Sequence, residues 1–405
     1  MSKHEEAVAT QAHAQTEVQH QRFAVSFDYP VVFTRHAFDP NSGVLREVIA
    51  RREPNRRHRI FVVLDRGVVD AHPDLVSRVQ RYVLAHGHSL ELVSEPVIVP
   101  GGEAVKQTPG LIEDLQARMH ALRIDRHACM VIVGGGAVLD AVGYAAATTH
   151  RGVRVVRLPT TVLAQDDAGI GVKNGVNAFG AKNFLGSFAP PFGVICDSAF
   201  LDTLSPRDKR AGMAEAVKVA LIRDADLFTW LSEHTDDLVR FERKAVEHLV
   251  KRGAEIHLQQ ITQGGDPFEL GSARPLDYGH WAAHKLETLT HHRLRHGEAV
   301  AIGMALDTRY SVEAGLLGAD AGERVIRLLQ DLGFTLWDDA LALRDARGEL
   351  AVLAGLEEFR EHLGGELTIT LLAGIGKSVD VHEMDRGLLL DALRWLETQS
   401  TARCA

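Results

Sequence analysis

Four residues in the second half of the chain have the types and spacing of a divalent metal site. His280 and His284 lie four apart in the apolar segment LDYGHWAAHKLE, so a helix would place both rings on one face. His296 opens a second helical pattern, RHGEAVAIGM, and Glu215 lies in a third, AGMAEAVKVALI. Three ligands of the His2Glu kind leave one coordination position open for substrate or water. That arrangement is typical of a catalytic metal rather than a structural one.

A second interpretation of these histidines stays open at this point. Their spacing matches no short metal motif such as HExxH. The chain has 21 His, and a histidine in an apolar pattern is more often a partly buried, hydrogen-bonded ring than a ligand. Residues 1–22 are rich in His, Gln, Ala and Glu, and we expect them to form a disordered tail.

The first half of the chain has the pattern of a nucleotide-binding α/β domain. Two short apolar runs, RIFVVLD and HACMVIV, have the composition of buried parallel strands. The second run leads into GGGAVLDAVG, where three glycines allow a close backbone approach and the next helix offers its N-terminal amides to a diphosphate. Asp65, at the end of the first run, is placed to accept hydrogen bonds from a ribose. Thr160 and Thr161 follow another strand and either contact a nucleotide or cap a helix.

Residues 171–191, GVKNGVNAFGAKNFLGSFAPP, are rich in Gly and Asn, and we expect a long ordered loop rather than a regular element. Its Lys173, Lys182 and Asn183 are suited to an anionic, polyhydroxylated substrate. The rest of the chain has helical patterns at 236–260, 279–290, 297–315, 320–333 and 383–398. We therefore divide the chain into a tail (1–22), an α/β domain (23–198) and an all-helical domain (199–405).

Composition excludes several classes of protein. A net charge of -9 argues against nucleic-acid or membrane-surface binding, because no excess of Lys and Arg is available to neutralise phosphates. No apolar run reaches the length of a membrane helix, and the N-terminus lacks the order of a signal peptide. The three Cys show no CxxC spacing, so reduced thiols and a cytoplasmic location are expected.

Seven segments in their order along the chain resemble the 3-dehydroquinate synthase superfamily of sugar phosphate cyclases. They are GGGAVLDAVG, HRGVRVVRLPTT, QDDAGIGVKNGVN, GAKNFLG, GMAEAVK, LDYGHWAAH and RHGEAVAIGM. The resemblance runs from about residue 60 to residue 305. It implies a Rossmann-like domain followed by a helical metal-binding domain, a bound NAD and a divalent metal, Zn²⁺ or Co²⁺.

The resemblance also implies a role for individual residues. The metal ligands would be Glu215, His280 and His296. NAD would be held by Asp65, Glu103, Lys106, Gly135, Gly136, Asp140, Thr160 and Thr161. Catalytic groups beside the metal would be Lys218, His284, Lys173 and Asp167, and the sugar phosphate would be bound by Lys182, Asn183, Arg274, Asp277 and Arg151. Arg151 matches an arginine that reaches the phosphate from the partner subunit, which implies a homodimer.

Departures from the family pattern bear on the substrate. Asp277 stands in RPLDYGH where the dehydroquinate synthases have Asn, and this form resembles the branch that cyclises sedoheptulose 7-phosphate. Asp only accepts hydrogen bonds, which suits a sugar hydroxyl better than a carboxylate. A lysine expected about eighteen residues upstream is replaced by Gln259 or Gln260. In the other direction, many 2-epi-5-epi-valiolone synthases carry Pro where this chain keeps His284. The segment KNGVNAFGAKNFLG also resembles the cyclases of bacterial ebo clusters.

The reaction implied is conversion of a seven-carbon ketose phosphate to a carbocyclic cyclitol with elimination of phosphate, by transient oxidation with NAD. Three alternatives stay open: a 3-dehydroquinate synthase, a metal-dependent alcohol dehydrogenase, and an inactive scaffold. The first is opposed by Asp277 and the missing lysine, the second by the loop lysines, and the third by retention of all three ligands and Lys218.

Overall fold

The computed structural model describes residues 18–179, 181–268, 275–362 and 365–404. Residues 18–22 of the predicted tail are exposed and have no regular structure, whereas residues 1–17 lie outside the described range. Arg274, expected at the substrate, also lies outside it. Within the described residues, no helix is both long and apolar enough to cross a membrane.

The first half of the chain is built on a seven-stranded parallel sheet. Its strands are β1 (Val31–Thr34), β2 (His58–Asp65), β3 (Leu90–Leu92), β4 (Val97–Val99), β5 (Cys129–Gly134), β6 (Arg154–Pro159) and β9 (Gly193–Asp197). Their order is β1-β9-β6-β5-β2-β3, and β4 also pairs with β2. Residues of β5 are buried throughout because helices cover both faces of the sheet. These helices are α1 (Val44–Ala50), α2 (Arg66–Ala71), α3 (Leu75–Ala85), α4 (Leu111–Ala121) and α5 (Gly136–Thr148).

The glycine-rich turn lies between β5 and α5, at the carboxyl edge of the sheet, as predicted. Gly135 is the N-cap of α5. A side chain at Gly134 would place its Cβ 2.8 Å from the Val138 side chain and 3.1 Å from Asp65. The turn is therefore tight because α5 and the end of β2 close on it, and the first amides of α5 face the same edge.

Residues 171–191 are not a loop, and that prediction was wrong. They form an antiparallel hairpin of β7 (Lys173–Ala178) and β8 (Ala181–Phe188). Gly175 pairs with Gly186, and a Cβ on Gly175 would lie 3.1 Å from the carbonyl oxygen of Leu185. Glycine lowers the predicted strand propensity, but here it allows the backbones of the two strands to approach closely. This is a tertiary effect, which cannot be predicted from composition.

The second half of the chain is mainly helical, as predicted. Its helices are α6 (Pro206–Arg223), α7 (Ala225–Glu233), α8 (Thr235–Val239), α9 (Arg243–Gln263), α10 (His280–Leu289), α11 (His296–Glu313), α12 (Ala319–Asp331), α13 (Ala354–His362) and α14 (Arg386–Cys404). Ser205 caps α6 by accepting a hydrogen bond from the amide of Asp208, and Pro206 follows at the first turn.

Two details of this half differ from the prediction. The pattern at 236–260 is divided between α8 and α9. The expected all-helical domain also contains an antiparallel hairpin, β10 (Ile369–Gly374) and β11 (Lys377–Val381). Ile369, Leu371 and Leu372 of β10 are buried in the helical core. A short apolar strand is thus paired locally and still contributes its side chains to that core.

Candidate active site

Three helices bring Glu215, His280 and His296 together. Glu215 lies on α6, His280 begins α10 and His296 begins α11. Glu215 Oε1 is 3.7 Å from Nε2 of His280 and 3.4 Å from Nε2 of His296. One ligand atom from each of the three residues lies within 4.8 Å of the others. Two imidazoles and one carboxylate around a common point fit a divalent metal such as zinc or cobalt.

Close helix contacts produce this convergence. A Cβ on Gly297 would lie 1.7 Å from the carbonyl oxygen of Ala211, and one on Gly303 would lie 1.9 Å from that of Gly279. The backbone of α11 therefore touches α6 near one glycine and the start of α10 near the other. Because α11 is apolar around most of its circumference, it is buried between its neighbours and fixes the spacing of the three polar side chains.

The protonation of His280 suits a ligand. Nδ1 of His280 lies 3.0 Å from the carbonyl oxygen of Tyr278, so Nδ1–H donates and Nε2 is left facing Glu215. Burial, and then the nearby ammonium of Lys218, lower the pKa of His280 to about 3. A metal-binding histidine is usually neutral, and the ring nitrogen that does not bind the metal commonly donates to a carbonyl oxygen.

His284 lies beside the three residues but belongs to a different cluster. Its ring centroid is 5.4 Å from that of His280 and 6.2 Å from that of His296. His284 forms a second group of possible ligands with Glu287 and His296. It is therefore close enough to the first cluster to contact a substrate bound there.

Glu287 is a residue of the site that the sequence analysis missed. Both of its carboxylate oxygens accept from the ammonium of Lys182, at 3.1 and 3.2 Å, and Oε2 lies 3.4 Å from Nδ1 of His296. Glu287 thus joins the β7–β8 hairpin to a candidate metal ligand. The only sequence signal was its position three residues after His284 and seven after His280, on the same helix face.

Replacing Glu287 by glutamine is expected to lower metal affinity about 10- to 100-fold, because His296 loses the carboxylate that orients its ring. Competition with a zinc chelator measures this change. Glu358→Gln is the matched control, since Glu358 also pairs with a lysine of this region, Lys285, but its own side chain is 56% exposed. Equal zinc affinity in the Glu287 variant and the native protein would contradict the orienting role.

Asp166 and Asp167 lie close enough to Glu215 for its charge to act on both. The carboxylate of Asp167 is 2.8 Å from Nδ1 of His257, on α9. Burial alone would raise the pKa of Asp167, but His257 outweighs it and holds that pKa below its usual value. Asp166 has no hydrogen bond to either side-chain oxygen among the described residues, and burial raises its pKa well above the usual value. His257 was also missed, because it lies 90 residues from Asp167 in an ordinary amphipathic helix.

Residues predicted to hold NAD line the carboxyl edge of the sheet. Asp65 accepts from the amide of Gly67 at 2.8 Å and, through its other oxygen, from that of Gly135 at 3.5 Å. Thr160 is buried, and Thr161 accepts from the amide of Ala164 at 3.1 Å, so it caps the next turn. Asp65 therefore lies directly against the glycine-rich turn, with α5 beginning there.

Lys106 links this edge to the hairpin. Its ammonium donates to Asp140 at 2.6 Å and to the side-chain oxygen of Asn183 at 2.9 Å, and it lies 3.8 Å from Glu103. The hairpin also reaches the helical half through Lys182 and Glu287. The β7–β8 hairpin thus contacts Lys106, one of the residues predicted to hold NAD, through Asn183. It contacts Glu287, beside the metal cluster of Glu215, His280 and His296, through Lys182.

Three other predicted substrate residues differ in position. Asp277 is half-buried in the turn before α10, near enough for its charge to act on Lys218. Lys173 is exposed at the start of β7. Arg151 is exposed after α5, where β6 begins. Because α5 starts at the carboxyl edge and is about 20 Å long, Arg151 lies at the opposite edge of its own sheet.

Comparison with known proteins identifies the family. The family model for the N-terminal part of 3-dehydroquinate synthase matches residues 96–211, and that for the C-terminal part matches residues 212–351. The chain belongs to the 3-dehydroquinate synthase family. It is therefore an enzyme of this family and has the sugar phosphate cyclase fold. The predicted family and fold class are confirmed.

Relatives within the 3-dehydroquinate synthase family include two kinds of cyclase. A 3-dehydroquinate synthase of Rhodopseudomonas palustris is 36% identical over 302 residues, covering 73% of this chain and 77% of that protein. A 2-epi-5-epi-valiolone synthase of Streptomyces glaucescens is 34% identical over 359 residues, covering 88% and 87%. Sequence identity alone therefore does not distinguish the two kinds of substrate.

Solved structures of the same family share the architecture. The 2-epi-5-epi-valiolone synthase ValA of Streptomyces hygroscopicus, with NAD⁺ and Zn²⁺ bound, superimposes with a TM-score of 0.81 at 28% identity, covering 94% of this chain and all (100%) of ValA. A 2-deoxy-scyllo-inosose synthase with carbaglucose-6-phosphate, NAD⁺ and Co²⁺ gives 0.71 at 25% identity, covering 90% and 96%. A protein of Sinorhizobium meliloti described as a probable glycerol dehydrogenase, at 18% identity and a TM-score of 0.57, shares the fold alone.

Proposed function

We propose that this cyclase converts sedoheptulose 7-phosphate to a carbocyclic C7-cyclitol with elimination of phosphate, and is thus a carbon–oxygen lyase. The observation that carries the proposal is Asp277 in the turn before α10, a carboxylate near enough for its charge to act on the buried Lys218. A carboxylate there accepts from sugar hydroxyls and repels an anionic substrate carboxylate. The long match to a valiolone synthase, over 88% of the chain, supports the same branch.

The residues present fit both groups that this chemistry needs. Glu215, His280 and His296 would hold Zn²⁺ or Co²⁺, and NAD would lie along Asp65, the α5 N-terminus, Thr160 and Thr161, and the Glu103–Lys106–Asp140 cluster. When bound, NAD supplies reversible hydride acceptance and the metal supplies Lewis acidity. We infer that residues 23–198 hold the cofactor and residues 199–405 the metal.

The side chains of this protein then have distinct tasks. Asp65 would accept from a ribose hydroxyl, and Lys182, Asn183 and Lys173 on the hairpin would bind the phosphate. Lys218 neutralises Glu215, which it contacts, and keeps that carboxylate ionised despite its burial. The Asp167–His257 pair can accept and relay a proton beside the metal cluster, and the departing phosphate is a further base.

We also propose a homodimer in which Arg151 acts across the subunit interface. Within its own chain Arg151 lies at the edge of the sheet opposite the site, so it reaches a phosphate only in a partner subunit. Arg151→Ala should then raise the KM for the sugar phosphate about tenfold or more, since it removes a charge-assisted contact. Mixing it with an inactive Glu215→Ala protein should form hybrid dimers that regain one native site. No regained activity after subunit exchange would contradict a contribution across subunits.

Phosphate release without net reduction of NAD tests the reaction type. Purified, zinc-loaded protein with catalytic NAD should release phosphate over many turnovers while absorbance at 340 nm stays flat, because the hydride returns to the substrate. A metal-dependent alcohol dehydrogenase would instead accumulate NADH in proportion to turnover. Stoichiometric NADH without phosphate release would reject the proposed function.

A second candidate is 3-dehydroquinate synthase itself. It is favoured by His284, which this chain shares with those enzymes, and by the 36% identity to the protein from Rhodopseudomonas palustris. Both candidates use the same cofactor, metal and phosphate chemistry. They differ in whether the substrate carries a carboxylate near Asp277, so only a direct comparison of the two substrates separates them.

A further inference from the structure

Arg157 on β6 is a buried cation whose hydrogen-bonding partners are all neutral. Only 1% of its surface is exposed. Nη1 donates to the carbonyl oxygens of Gly169, at 3.2 Å, and Gly171, at 2.8 Å. Nη2 donates to the carbonyl oxygen of Lys173, at 3.1 Å, and to Oδ1 of Asn174, at 2.8 Å. Within the described part of the chain, no carboxylate forms an ion pair with this guanidinium.

All four acceptors belong to one stretch of six residues, 169–174. This segment follows Asp167 by two residues and ends in the first residues of β7, including Lys173. The hydroxyl of Tyr29 donates to the carbonyl oxygen of Ile170, at 2.8 Å. Residues 169–172 of this segment are irregular backbone whose carbonyls need donors, and Arg157 supplies those for Gly169 and Gly171. It also binds Lys173 and Asn174, where the segment enters β7.

Arginine is suited to this position in a way that lysine is not. A guanidinium carries five N–H donors in a planar fork, so two nitrogens reach four oxygens spread along the segment. A lysine ammonium has one nitrogen and would leave some carbonyls without a donor. An apolar side chain would remove the donor from all four acceptors, and the three that are buried, on Gly169, Gly171 and Asn174, would be costly to leave unpaired. Burial of a cation without a counter-charge is unfavourable, and these charge-assisted hydrogen bonds offset it.

We propose that Arg157 is a positioning residue that fixes the 169–174 segment, and with it the places of Lys173 and Asp167, for binding of the substrate phosphate. The proposal rests on the proposed function for the identity of the ligand. The effect of Arg157 on the 169–174 segment does not depend on which sugar phosphate is used. Arg157 acts only through the backbone that it holds, because its side chain is buried behind that backbone.

The test compares Arg157→Gln and Arg157→Lys with Arg154→Gln. Arg154 lies on the same strand and bonds to Glu53 near the opposite edge of the sheet, so it is a matched control. Two quantities are measured: KM and kcat for sedoheptulose 7-phosphate, and hydrogen exchange of the amides of residues 173–178. We expect both Arg157 variants to raise KM about tenfold or more, since a displacement of about 1 Å at a binding group is enough for such a loss. Exchange in β7 should quicken at least tenfold, with the Arg154 control unchanged.

Gly143→Ala provides a second test if the Arg157 variants do not fold. A Cβ on Gly143 would lie 2.0 Å from Oδ1 of Asn174, so alanine displaces that amide from the guanidinium. Alanine also favours helix α5 more than glycine does. We expect faster exchange in β7 and a raised KM in a protein that is otherwise folded.

The outcomes are distinguishable. Unchanged KM and unchanged exchange in a folded Arg157 variant, or full activity in Arg157→Lys, would overturn the proposal. A lowered melting temperature with native KM would show a purely structural role and would also overturn it. If the native protein turns over no sugar phosphate, the proposed function fails. The exchange rates of β7 then decide whether Arg157 holds the segment.

Discussion

Replacing Glu215 by alanine is expected to reduce phosphate release to background and to remove bound zinc from the purified protein. Glu215 supplies the carboxylate of the three-ligand cluster, and ligand atoms of His280 and His296 alone do not complete a catalytic site. The substitution also leaves Lys218 buried without its counter-charge, which costs about 3–5 kcal/mol of stability. Metal content by mass spectrometry and initial rates of phosphate release measure the two effects.

Loss of activity through unfolding is separated from loss of the metal by a double variant. Glu215→Ala combined with Lys218→Met removes both buried charges, so the free energy of unfolding should recover while metal binding does not. Glu233→Ala, which removes an exposed carboxylate on α7, is the control and should keep both zinc and activity. Substantial turnover by a metal-free Glu215→Ala protein would show that the assigned ligands are wrong.

Replacing Gly303 by alanine is expected to destabilise the protein by about 2–3 kcal/mol and to lower activity about 100-fold. The added Cβ would lie 1.9 Å from the carbonyl oxygen of Gly279, a backbone atom that cannot rotate away. Helices α10 and α11 must then separate, and His280 moves away from His296. Helix propensity alone predicts the opposite sign, since alanine favours a helix by about 1 kcal/mol over glycine.

Urea unfolding and zinc affinity together measure this change. Gly318→Ala is the matched control, because a Cβ there would meet no atom within 4 Å. We expect the control to stay within about 0.5 kcal/mol of the native protein. A Gly303→Ala variant that is as stable as the control would mean that α10 and α11 do not depend on this contact.

The helices that hold Glu215, His280 and His296 were predictable because the sequence patterns that indicate them are local. The i to i+4 spacing of His280 and His284 defines a helix face, and the apolar patterns around Glu215 and His296 predict the other two helices. Glycines before α5 likewise mark a strand-to-helix turn. For these residues the helix or turn that holds them follows from neighbours within a few positions in sequence, whereas their roles were implied by the family resemblance.

The residues that were missed act through contacts distant in sequence. Glu287 meets Lys182 across 105 residues, and His257 meets Asp167 from a different helix. Arg157 lies on the strand that precedes Thr160, and no local signal marks it, because its acceptors begin 12 residues later in the chain. The β7–β8 hairpin was missed for a related reason, since its glycines satisfy packing on backbone rather than local strand preference.

The most direct test of the proposed substrate compares two sugar phosphates on one preparation of zinc-loaded protein. Phosphate release is measured with sedoheptulose 7-phosphate and, in parallel, with 3-deoxy-arabino-heptulosonate 7-phosphate, each with catalytic NAD. We expect release from sedoheptulose 7-phosphate only, because Asp277 disfavours the carboxylate of the heptulosonate. Release from the heptulosonate phosphate only would contradict this expectation and make this chain a 3-dehydroquinate synthase.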